Sequence, residues 1–86
     1  MKLHRLPTDR ERAKWKDIRD EFKTSLKNKG SVSKRQMIIA YDIHKKIYSQ
    51  PALRPPLNCC VEKYINTWLD ICKNLDAALR RKKADI

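Results

Sequence analysis

The chain has 86 residues, with 21 Lys and Arg against 10 Asp and Glu, a formal net charge of +11 and an isoelectric point near 9.9. That length fits one domain close to the lower limit for a single core, which leaves little room for a large buried active site. Hydrophobic residues make up 41% and charged residues 36% of the chain; the apolar ones are spread along it, which is compatible with folding and fits a globular basic module with frayed ends.

Residues 1–8 read as a flexible basic arm. Residues 1–20 are mostly polar and carry no signal-peptide pattern, and no apolar run approaches the ~20 residues that span a bilayer. The expectation is an intracellular protein with no membrane partner, nuclear if its ligand is DNA.

The first predicted helix covers residues 9–27. Thr8-Asp9-Arg10-Glu11 has the form of a capping box, in which the Thr oxygen takes an amide of the first turn and Glu answers on the Thr amide. Trp15, Ile18, Phe22 and Leu26 follow at spacings of three or four and make one apolar stripe. The other faces mix Arg10, Arg12, Lys14, Lys16 and Arg19 with Asp17, Asp20 and Glu21 in i,i+4 reach, so these acids read as solvated ion pairs.

Lys27-Asn28-Lys29-Gly30 ends that helix, with Asn28 or the chain's single Gly able to take a left-handed C-cap. Ser33-Lys34-Arg35-Gln36 is a second capping box and opens a helix predicted over 33–49. Met37, Ala40, Tyr41, His44 and Tyr48 point inward, with Ile39, Ile43 and Ile47 beside them, a stripe wide enough for packing on two sides. Residues 50–58, QPALRPPLN, hold three prolines and form a stiff connector. Asn58 is a cap for a third and longest helix over 58–83, in which Val61, Ile65, Trp68, Cys72, Leu75 and Leu79 make a heptad-like seam. Arg80-Arg81-Lys82-Lys83 then complement the negative end of the helix dipole. Nothing reads as a strand. The fold class is all-α: a small three-helix domain of the helix-turn-helix or Myb-like kind.

Catalysis needs a nucleophile with a base and an orienting group, or paired carboxylates, and neither is present. The expectation is a protein that is not an enzyme and needs no cofactor. Cys59, Cys60 and Cys72 are an odd count without metal-ligand spacing to His4 or His44, so they read as buried thiols and not as zinc ligands or disulfides. His44, on an apolar face, reads as a core histidine.

The turn from Gly30 to Ser33 carries the functional reading. A helix, a short turn containing Gly and a second helix is how a helix-turn-helix brings the first residues of its second helix to the major groove. Lys34 and Arg35 suit guanine edges and Gln36 adenine, while Ser31, Ser33 and the free amides of the helix start suit a phosphate. Lys23, Lys27, Lys29, Lys45 and Lys46 add flanking charge: residues 22–46 hold seven basic side chains and one acid, Asp42, a local net of +6. Capping alone explains Ser33 and Gln36 but not that charge. The aromatic residues fall on buried stripes, Tyr64 being the exception, so they do not form a stacking platform for single strands.

The stretch Trp15 to Val32, WKDIRDEFKTSLKNKGSV, is similar to the start of the DNA-binding domain of yeast activators of glycolytic and stress genes. There an aromatic and acidic helix leads to Gly and a Ser-Val or Ser-Ile turn, matched here by Ile18, Glu21, Phe22, Gly30, Ser31 and Val32. The family's following Tyr-Gly and Trp-Arg signature is absent. The resemblance implies sequence-specific DNA binding in a fungal nucleus.

The leading expectation is therefore nucleic-acid binding, duplex DNA ahead of RNA, in transcription regulation or chromatin. The runner-up is a protein-interaction module that binds an acidic or helical partner through the seam of the third helix, and a structural RNA-binding protein stands behind both. Salt separates them, because phosphate contacts weaken steeply with ionic strength and an apolar groove does not.

Overall fold

The computed structural model describes residues 2–28, 32–49, 55 and 61–84, without the side chain of Val61. Helix α1 (Asp9–Lys27) starts at Thr8, whose Oγ1 accepts from the Glu11 amide at 3.1 Å while a Glu11 carboxylate oxygen accepts from the Thr8 amide at 2.9 Å. Helix α2 (Lys34–Ile47) starts at Ser33, whose Oγ accepts from the Gln36 amide at a longer 3.4 Å. A four-residue 3-10 turn, Val61–Tyr64, runs directly into the 16-residue α3 (Ile65–Arg80), and together they form the longest helical run, against 19 residues in α1. No strand occurs among the described residues, only an isolated bridge between Leu3 and Tyr48. The fold is all-α and three-helical.

Each helix packs on the other two. Trp15, Ile18, Phe22 and Leu26 of α1, the predicted stripe, are all buried. Phe22 sits edge-on between the two indoles, with centroids 6.2 Å from Trp15 and 5.9 Å from Trp68, the T-shaped arrangement aromatic rings favour. A radius of gyration of 12.4 Å is close to the ~12 Å expected for one folded unit of this length.

Several sequence expectations need correction. Residues 2–8 are not a flexible arm. Leu3 and Pro7 are buried, the His4 amide donates to the Ile47 carbonyl at 2.6 Å and the Ser49 amide to the Lys2 carbonyl at 3.0 Å, so the segment lies along the end of α2. Arg5 grips Glu11 with both terminal nitrogens, at 2.8 and 3.0 Å. Apolar Leu3 and the Arg5–Glu11 pair outweigh the freedom that a basic segment would otherwise keep.

Helix α3 stops at Arg80, and Arg81 is already extended, so Arg81–Lys83 follow the helix and are not part of it. The predicted cap Asn58, most of the 50–58 connector, Cys59 and Cys60 lie outside the described residues. The buried side of α3 comprises Trp68, Ile71, Cys72, Leu75 and Ala78, wider than the predicted seam because α1 and α2 both cover it. Of the predicted seam, Trp68, Cys72 and Leu75 lie in the protein's own core, and Leu79 is partly buried against it, so these groups are used within the fold.

His44 is buried, flanked by Tyr41 and Tyr48. Its Nε2 lies 3.3 Å from Asn74 Nδ2 and accepts from it when the ring is neutral with the proton on Nδ1; Nδ1 has no hydrogen-bond partner among the described residues. Burial lowers the His44 pKa. The Tyr48 hydroxyl donates to the Asn74 carbonyl at 2.7 Å, so α2 and α3 are pinned at this level twice.

Candidate nucleic-acid interface

Helix α1 has a groove on each flank. Between α1 and α3 the lining is Lys23 and Lys27 from α1, Lys73, Asp76 and Arg80 from α3, with Leu69 and Cys72 beneath, around a volume of about 330 Å³. The cationic positions follow from helix periodicity: Lys23 and Lys27 are i,i+4, and Lys73, Asp76 and Arg80 fall at successive turns of one face. Asp76 organises this groove. Its Oδ1 accepts from Trp15 Nε1 at 3.0 Å and from Arg19 Nε at 2.7 Å, and its Oδ2 takes the Lys23 ammonium. Burial alone would raise the Asp76 pKa, but the bonds from Lys23, Trp15 and Arg19 outweigh it and hold the carboxyl below its usual value. Arg12 donates to the Leu79 carbonyl at 3.0 Å and closes the end of α3.

Lys27, Lys73 and Arg80 make no ion pair with any described residue. The Cys72 thiol beneath them is buried, which pushes its pKa up to about 12 and leaves it unreactive near neutrality.

Between α1 and α2 the groove is larger, about 520 Å³, and its floor is aliphatic: Ile18 from α1 with Ile38 and Ile39 from α2. Lys14 and Asp17 line the α1 side, Lys34 and Arg35 the first turn of α2. Ile38 is 45% exposed and is the one large hydrophobic residue left open among the described residues. Lys14, Lys34 and Arg35 also have no ion pair there.

The predicted site residues therefore do not form one surface. Lys34 and Arg35 stand together at the start of α2, but Gln36 between them and the core is only 9% exposed. It sits one turn before Ala40 on the inward side, so it is a core-edge residue with little surface to offer a base. The Ser33 oxygen is used on its own helix. Lys45 and Lys46 lie at the other end of α2, where Lys46 pairs with Asp42 at 3.1 Å. Lys23 is half-buried and held by Asp76, while Lys27 is exposed. Lys29 and Ser31 lie outside the described residues. Sequence reasoning missed Lys73 and Arg80 as partners of Lys27; their spacing on one face of α3 was visible, but not that this face meets α1.

No protein-family model matches the chain, and no curated protein and no solved structure matches it. No helix among the described residues is long and apolar enough to cross a membrane.

Proposed function

We propose that the protein binds duplex nucleic acid, DNA in the first instance, through phosphate contacts along the α1–α3 groove. The observation that carries this is the arrangement of Lys27, Lys73 and Arg80 around one cleft with no carboxylate partner, since Asp76, the acid among them, is committed to Trp15, Arg19 and Lys23. Unpaired cations on two rigid helices suit a phosphate backbone, whose condensed counterions are released on binding. Burial of Trp15, Phe22 and Trp68 favours duplex over single strands, because those rings are not available for base stacking. Burial of Gln36 favours backbone binding over base readout and so a chromatin or packaging role over that of a sequence-reading regulator. Similarity to the yeast activators adds little weight: Ile18 and Phe22, two of its six residues, are core positions of any amphipathic helix.

The test is a titration of duplex DNA, duplex RNA and single-stranded DNA at several salt concentrations. Three phosphate contacts give log affinity a salt slope of about −3 on duplex DNA. Lys27→Ala, Lys73→Ala and Arg80→Ala should each flatten it by about one. Binding that is insensitive to salt, or unchanged in all three variants, overturns the reading.

A further inference from the structure

Phosphate binding needs no aliphatic floor, yet the α1–α2 groove has one. Ile38 and Ile39 follow Lys34 and Arg35 by one turn on the same face of α2, and Ile18 closes the floor from α1. The result is a trough with an apolar bottom and cationic ends, of a size within the roughly 300–1,000 Å³ usual for ligand clefts. An exposed isoleucine, Ile38, lines it together with cations that have no ion pair among the described residues.

We infer that this groove docks an amphipathic helical segment of an acidic partner protein, with aliphatic side chains on Ile18, Ile38 and Ile39 and carboxylates on Lys34, Arg35 and Lys14. Charge complementarity selects the occupant. A second copy of a chain with a net charge of +11 brings like charge to a cationic rim, and a phosphate backbone gains nothing from the isoleucines. The positive end of the α2 dipole adds to Lys34 and Arg35 at one end of the trough. Asp17, on the α1 wall, disfavours a carboxylate beside it. Carboxylates of the partner are thereby favoured at Lys34 and Arg35 over the part of α1 beside Asp17. This is the helix-in-groove mode of recognition, and it moves the expected partner site from α3 to the α1–α2 face.

The probe is a synthetic amphipathic peptide of ~14 residues, four helical turns, with leucines at i, i+3, i+4 and i+7 and glutamates on both flanks. A scrambled peptide of the same composition is the control, and amide chemical shifts of the intact chain are the readout. The amphipathic peptide should shift the amides of Ile18, Ile38 and Ile39 and bind at least tenfold more tightly than the scramble. Ile38→Glu, a change at an exposed position that should leave melting intact, should weaken it at least tenfold, as should Lys34→Glu with Arg35→Glu. Lys73→Ala should leave peptide affinity unchanged, which separates this inference from the duplex reading. Equal binding of the scramble, or normal peptide binding by Ile38→Glu, overturns it. So do isoleucine shifts produced by duplex DNA in place of the peptide, or dimerisation of the chain that Ile38→Glu abolishes.

Discussion

The two grooves share α1 and a cationic rim but differ in what lies beneath. On the α3 side a carboxylate, Asp76, crosslinks the helices and orders Arg19 and Lys23, leaving an outer ring of Lys27, Lys73 and Arg80 over a small floor. On the α2 side no such clamp exists among the described residues, and isoleucines occupy the bottom. Similar net charge therefore supports different chemistry. Where charge is organised and the floor is small, the ligand we propose is a polyanion; where aliphatic surface lies open between cations, it is an acidic segment with apolar anchors.

The largest expected effect removes both grooves together. Trp68→Ala or Trp15→Ala should cost about 3–5 kcal/mol, because each indole is fully packed and Phe22 rests edge-on against both. Thermal melting checks this, and a near-native midpoint for both would mean that the three-helix contact is not what holds α1 in place.

Asp76→Ala sharpens the contrast. It leaves the Trp15 indole N–H without its acceptor and frees Arg19 and Lys23, so stability should drop by about 1–3 kcal/mol. Duplex affinity of the folded fraction should nevertheless rise, as one negative charge leaves the α1–α3 groove and two cations are released. Peptide affinity at the α1–α2 groove should not move. A fall in duplex affinity under conditions where the variant is fully folded would show that Asp76 helps to bind and not only to brace.

Acid should weaken the fold in two stages. The His44 pKa is lowered by burial, so the unfolded chain binds the proton more readily and stability present at neutral pH is lost as pH falls below about 6.5, at up to ~1.4 kcal/mol per pH unit. Tyr41, Tyr48 and Asn74 are the groups recorded around the ring, and none supplies a charge that would favour the imidazolium. Glu11 is lowered to about 2, first by the Arg5 bonds, so its contribution is present above its ordinary value of 4.5 and is lost as pH drops toward 2. Denaturant melts from pH 7 to 3 should show both stages. His44→Gln, which keeps an acceptor for Asn74, should lose only the upper one.

The smallest effect concerns Ser33. Its 3.4 Å cap is long, so Ser33→Ala should cost no more than about 1 kcal/mol and leave duplex binding unchanged. A marked loss of duplex affinity would return the start of α2 to the interface.

The helices were legible because their signals are local. Thr8 and Glu11 set the start of α1 to the residue, and the period of Trp15, Ile18, Phe22 and Leu26 identified its buried face. What was hidden depends on which face meets which. Gln36 looked exposed because it is polar and stands at the last position of a Ser-x-x-Gln capping pattern, yet α2 is covered on two sides and takes it inward. Leu3 and Arg5 looked like part of a loose arm because their backbone partners, Tyr48 and Ile47, lie more than forty residues away and are recognised only once the end of α2 lies beside them. The two grooves were invisible for the same reason: Lys73 and Arg80 join Lys27, and Ile38 joins Ile18, only through packing.

The central claim is that charge on the two flanks of α1 does different work. It is tested most directly by measuring the salt dependence of duplex DNA affinity for two triple variants. Lys27→Ala, Lys73→Ala and Arg80→Ala together should flatten the slope by about three. Lys14→Ala, Lys34→Ala and Arg35→Ala together remove the same charge and should leave the slope within about one of the parent, the long-range share of a smaller net charge. Equal flattening by the two triples would contradict the account, as would a larger effect from the second.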